Sequence, residues 1–152
     1  MQICYIHTMT LYTTGYQGQN VIDFIAGLSQ KDIGAIIDIR ENPVSRKPGF
    51  SKSALSTKLR DAGVEYYHFQ ELGTPKPLRN YLSEKGDYEV FFQNYRNYLR
   101  EFRDSLDDLI DIGSKKRICL MCFEKDPHTC HRKIVAELIK EYAGKNVDVV
   151  HL

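Results

Sequence analysis

The sequence predicts an α/β fold: a single domain over residues 1–152, with a mostly parallel sheet of about five strands and helices on both faces, in a Rossmann-like three-layer arrangement. Three observations carry this expectation. Strand-like and helix-like segments alternate along the chain, as in a parallel sheet built by right-handed crossovers. The runs "AIID" and "ICLMCF" are continuously apolar, which suits strands covered on both faces better than a half-exposed antiparallel sheet. The unusual polar residues gather at strand tails, the edge at which open α/β sheets bind ligands.

Each element can be justified in order. "MTLYTTG" reads as a strand ending in Gly15, and "NVIDFIAGLSQK" as a helix capped by Asn20. "GAIIDIR" is the second strand. Beyond a loop shaped by Pro43, Pro48 and Gly49, "SKSALSTKLRDAG" reads as a helix that starts at Ser51 or Ser53 and stops at Gly63. "VEYYHF", rich in aromatic and β-branched residues, is the third strand. Tyr88, Phe91, Tyr95, Tyr98, Phe102, Leu106 and Leu109 recur at helical spacing and predict one long helix over about 88–112, with Gly113 as its C-cap. That spacing marks the aromatic stripe as core rather than a base-stacking surface. "RICLMCF" is the fourth strand, "CHRKIVAELIKEYAG" the last helix and "VDVVHL" a final strand; no linker, repeat or low-complexity segment intervenes.

Composition bounds the function. A chain of 152 residues, 42% hydrophobic and 27% charged, builds a core without disulfides or a structural metal. The net charge of +1 sets up no global field towards nucleic acid or membrane. No apolar run approaches the ~18 residues of a membrane span, and "MQICYIHTMTLY" lacks the features of a signal peptide. Cys4, Cys119, Cys122 and Cys130 do not form a secreted disulfide framework, so a cytoplasmic location is expected. Cys4 and Cys119 read as core residues. Charge is patterned locally: Arg40, Arg46, Lys47, Lys52, Lys58 and Arg60 face Glu41 alone. The acidic stretch from Glu101 to Asp111 reads as a solvated helix face.

Two segments carry the chemistry. In "AIIDIR", period-two alternation puts Asp38 and Arg40 on one face. Asp38 either satisfies a neighbouring loop structurally or works as an acid/base or orienting residue beside an anion held by Arg40, Ser45 and Arg46. In "LMCFEKDPHTCHR" a strand ends and a helix begins. Asp126-Pro127 is a natural helix start that places Cys130 and His131 in the opening turns; alternatively Thr129 caps and Cys130 is the first helical residue. Free N–H groups there favour negative charge, and a thiol beside His131 and Arg132 would have a depressed pKa. Equally, Cys130, Ile134 and Leu138 share a helical stripe, on which Cys130 reads as a small apolar plug. Cys119 and Cys122 diverge along a strand and make poor joint ligands. Cys122, His128, Cys130 and His131 offer donors to zinc, but without the paired spacing that makes zinc motifs specific, so no metal and no cofactor is expected. His68 and His151, at strand ends, read as structural.

The segments "LYTTGYQGQNVIDFI", "IIDIRENPVSRKPGFSK", "YYHFQELG" and above all "CFEKDPHTCHRKIVAELI" resemble the prokaryotic family called domain of unknown function 488. The resemblance runs from Tyr12 to Leu152. Tyr16 and Gln17 depart from it, standing where a more polar pair is expected. It implies a compact intracellular α/β domain and hallmark positions that include Asp38, Arg40, Ser45, Cys122, Glu124, Asp126, Cys130, His131 and Arg132, without implying a reaction. A fainter likeness to rhodanese-like sulfurtransferases and phosphatases fails on spacing, since the residue six beyond Cys122 is His128.

Three functions remain. The first is an enzyme on a phosphorylated substrate, a nucleotide or nucleic-acid end, with Asp38, Cys122, Glu124, Asp126, Cys130 and His131 as the chemical groups and Arg40, Ser45, Arg46 and Arg132 as the anion-binding ones. The second is a non-catalytic nucleotide or nucleic-acid binding module; the third is a zinc-stabilised domain. The partner is an anionic small molecule or nucleic acid and not a membrane. Oligomeric state is not written in the sequence.

Overall fold

The computed structural model describes residues 8–144 and 146–152, so the expectation for Cys4 lies outside the described residues. The sheet has five parallel strands: β1 (Met9–Gly15), β2 (Ala35–Asp38), β3 (Glu65–His68), β4 (Ile118–Cys122) and β5 (Val147–His151). Their order is β3-β2-β4-β1-β5. Every residue of β2 and of β4 is buried, as their unbroken apolar runs require.

Helices α1 (Val21–Gln30) and α2 (Lys52–Asp61) cover one face. There Phe24, Leu28, Leu55 and Leu59 meet Ile36, Cys119 and Met121. The other face carries α4 (Tyr88–Leu99), α5 (Arg103–Lys115) and α6 (Arg132–Ala143), whose Tyr95, Leu99, Leu106 and Leu138 pack on Leu11, Ile37 and Leu120. A short helix, α3 (Lys76–Lys85), precedes α4. The three layers follow from strand periodicity, because Cys119 and Met121 point to one core and Leu120 and Cys122 to the other.

Three expectations are corrected here. The helix over 88–112 is two helices, α4 and α5, joined by a 3₁₀ turn at Arg100–Phe102. Gly113 lies inside α5 rather than at its cap; a Cβ there would strike the side chain of Met9. Helix α3 was not anticipated; it buries no residue fully, and its apolar face is short, Leu78 packing at the edge of the core. The N-cap at Asn20 holds, with its side chain accepting from the Asp23 N–H at 2.9 Å. Among the described residues no helix is long and apolar enough to cross a membrane.

Candidate functional site

The chain leaves β1 through α1 towards β2, and leaves β4 through α6 on the opposite face towards β5. Neighbouring strands β1 and β4 therefore send their connections to opposite faces, and a crevice opens beyond their carboxyl ends. Gly15 and Cys122 are register partners at its floor. The backbone carbonyl of Glu124 packs directly against the Gly15 Cα, in space that any Cβ would occupy. A cleft of about 690 Å³ lies here, lined by Tyr16, Arg40, Arg46, Cys122, Glu124 and His131 among others.

Arg40 and Asp38 form a buried pair. Arg40 donates from Nε and its backbone N–H to one carboxylate oxygen and from Nη2 to the other at 2.7 Å. The Tyr66 hydroxyl donates to Asp38 at 2.5 Å. Arg40 Nη1 reaches the Tyr16 hydroxyl and the Phe50 carbonyl. Burial, then the Asp38 carboxylate, pushes the Tyr66 phenol above its ordinary range. Asp38 thus sits behind Arg40 with its oxygens engaged, and Arg40 is the member that lines the cleft. Ser45 and exposed Arg46 stand on the rim, in a loop pinned by hydrogen bonds between Ser45 and Ser51.

Past Cys122 the chain turns sharply. Asp126 is exposed, and its carboxylate accepts from the His128 N–H at 2.9 Å, capping a 3₁₀ turn over Pro127–Thr129. That turn corrects the expected helix start: α6 begins at Arg132, two residues beyond Cys130, which is extended (φ −113°, ψ 142°). Cys130 Sγ nevertheless accepts the Arg132 N–H at 3.5 Å, the contact a capping side chain makes. Cys130 also packs in the core that α6 covers.

Arg132 is fully buried. It donates to Thr13 Oγ1 at 3.2 Å, to Cys122 Sγ at 3.1 Å, and to the carbonyls of Glu124 and Lys125. The Thr13 hydroxyl also shares a hydrogen bond with His151 Nδ1, consistent with a structural role for that histidine. Among the described residues Arg132 forms no salt bridge to a carboxylate. Its donors face the protein rather than the cleft.

Four reactive groups converge: one donor atom each from Cys122, Glu124, Cys130 and His131, all within 4.8 Å of one another. The structure pairs Cys122 and Cys130 as a disulfide, although their Cα atoms stand 7.7 Å apart, wider than the usual span of such a bridge. Cys122 Sγ lies 3.2 Å from the Glu124 carboxylate. His131 Nε2 lies 2.9 Å from the Ile39 carbonyl, which only accepts, so Nε2 carries the proton. Its Nδ1 then faces Cys130 Sγ at 3.7 Å as a bare lone pair. Burial lowers the His131 pKa and so favours the neutral ring. Cys119, on the other face, is a buried free thiol pushed up by burial, as befits a core residue.

Of the sequence-derived residues, Cys122, Glu124, Cys130 and His131 come together; Asp38 and Arg132 stand behind the wall, and Asp126 and His128 face solvent. Sequence reasoning missed Tyr16, which stacks on Phe50 at 4.4 Å and positions Arg40, and Arg79 on α3, paired with Glu41. The departure at Tyr16 was the only signal for the first; α3 gave none for the second. Tyr88, expected in the core, is 42% exposed and lines the cleft.

Neither a curated protein nor a solved structure matches this chain. A family match covers residues 20–139, a span that takes in β2, β4, the cleft loops and most of α6. The chain therefore belongs to the family described as Domain of unknown function DUF488.

Proposed function

We propose that the protein is an enzyme acting on a phosphorylated substrate, a nucleotide or a nucleic-acid end, bound in the cleft beyond β1, β2 and β4. The observation that carries this reading is the gathering of Cys122, Glu124 and His131 on the lining of the cleft, with buried Cys130 beside them and Arg46 on the rim. A core has no need of two thiols, a carboxylate and an imidazole gathered around one point. Arg46 is exposed and has no salt-bridge partner among the described residues, so it is free to take phosphoryl oxygens. Arg40, paired with Asp38 and hydrogen-bonded to Tyr16, lines the same cleft. Glu124 is the candidate acid/base or ligand and Cys122 the candidate nucleophile or ligand at the reacting centre. Asp38 acts here as a positioning residue for Arg40.

The test is equilibrium binding of nucleotides and of 5′-phosphorylated and unphosphorylated oligonucleotides, followed by analysis of released products. The expected result is phosphate-dependent binding, weakened roughly tenfold in Arg46→Ala, about 1.4 kcal/mol, with product formation lost in Glu124→Gln. Binding that survives without any product supports the non-catalytic module instead. Binding indifferent to the phosphate and to Arg46 overturns the reading altogether.

A further inference from the structure

We propose that Cys122, Cys130, His131 and Glu124 bind one divalent metal ion of the zinc class, through two thiolate sulfurs, the imidazole Nδ1 and a carboxylate oxygen. The inference rests on the same cluster as the proposed active site and adds what that cluster holds. It needs no assumption about the substrate.

The first argument is convergence. Donor atoms from the end of β4, the loop behind it and the start of α6 meet within 4.8 Å, a separation that one tetrahedral ion spans with bonds of about 2.0–2.3 Å. The second is the spacing of the two cysteines. A disulfide joins Cα atoms about 4.4–6.8 Å apart, and 7.7 Å lies outside that range. Two thiolates facing a shared ion stand farther apart than the paired sulfurs do here, and the wide Cα spacing leaves room for them to part around an ion once the bridge is reduced.

The third argument is the tautomer of His131. The Ile39 carbonyl holds the proton on Nε2 and turns Nδ1 towards Cys130 Sγ. A backbone carbonyl holding the distal N–H is the usual outer support of a metal-bound imidazole, because it fixes both ring orientation and tautomer. The fourth is charge. Arg132 is a buried guanidinium, always protonated, with Cys122 Sγ at 3.1 Å. A dication with two thiolates and one carboxylate carries a net charge of −1, the same as the Glu124 carboxylate alone, so Arg132 accommodates the loaded cluster as it does the empty one. The mixed sulfur, nitrogen and oxygen donors favour zinc over magnesium or calcium. Glu124, His131 and Cys122 all line the cleft, so the ion would sit at the cleft wall.

The experiment uses the full chain purified without a histidine tag, reduced, and dialysed against zinc or cobalt. The expected result is about one equivalent of metal per chain, and for cobalt a tetrahedral visible spectrum with a thiolate-to-metal charge-transfer band. Cys130→Ser and His131→Ala should each weaken metal binding at least tenfold. His128→Ala, a change at an exposed residue outside the cluster, should leave it unaltered. Should the ligand variants fail to fold, the cobalt spectrum of the native chain decides. Less than about a tenth of an equivalent, or cobalt without the sulfur band, overturns the proposal. Metal uptake that depends on His128 also overturns it. Metal content and phosphate-dependent binding are read separately, so either proposal can fail while the other stands.

Discussion

Arg132 shows how one residue shapes the site without touching a ligand. Its four donor contacts tie the loop after β4 back to β1, and no carboxylate neutralises it among the described residues. Replacing it with methionine keeps the packing volume but strands Thr13 and two buried-side carbonyls. Arg132→Met is expected to lose about 2–5 kcal/mol of unfolding free energy, measured by urea denaturation. A loss below about 0.5 kcal/mol would mean the guanidinium does not hold this loop. At this scale the sequence was partly legible. Cys122, Cys130 and His131 share one short motif, and their polar chemistry stands out against the apolar strand before them. The choice of Glu124 over His128 beside them was not legible. It depends on a 3₁₀ turn of three residues that rotates His128 outward, and so short a turn leaves no periodic trace.

Elements were legible where one physical signal dominated. The five strands follow from apolar runs and turn residues, α1 from its cap and stripe, and α2 and α6 from their stripes. Asn20 is the clearest cap, accepting from the Asp23 N–H while its amide donates to the Asp23 carboxylate. Asn20→Ala is expected to cost about 1 kcal/mol, read as a lower urea midpoint at unchanged slope; an unshifted midpoint would show that water replaces the cap without loss. The division between α4 and α5 escaped because the aromatic spacing runs on through Arg100–Phe102, where the helix tightens to i→i+3 pairing without a proline or glycine to announce it. Helix α3 escaped for the opposite reason, having two prolines at its start and no buried stripe.

For the whole molecule, alkaline pH is the condition that probes the interior. Tyr95, wholly buried, is held well above the ordinary phenol range by burial and then by Tyr98; Tyr66 is raised by burial and then by Asp38. In the unfolded chain both ionise near pH 10, while in the fold they stay protonated. Above about pH 10 the unfolded state therefore binds fewer protons, and stability falls as pH rises. Urea titrations over about pH 8–11 should show this decline, shallower in Tyr66→Phe; an equally steep decline in the variant would show that Tyr66 does not contribute. The sheet order that places β1 beside β4 has a separate consequence. Tyr16 and His131, which line the same cleft, lie far apart along the chain. No short fragment contains the whole lining, so a half-synthesised chain presents an incomplete surface for a ligand to grip. Any ligand that does bind adds its free energy to the complete fold alone, and occupancy becomes a readout of finished folding.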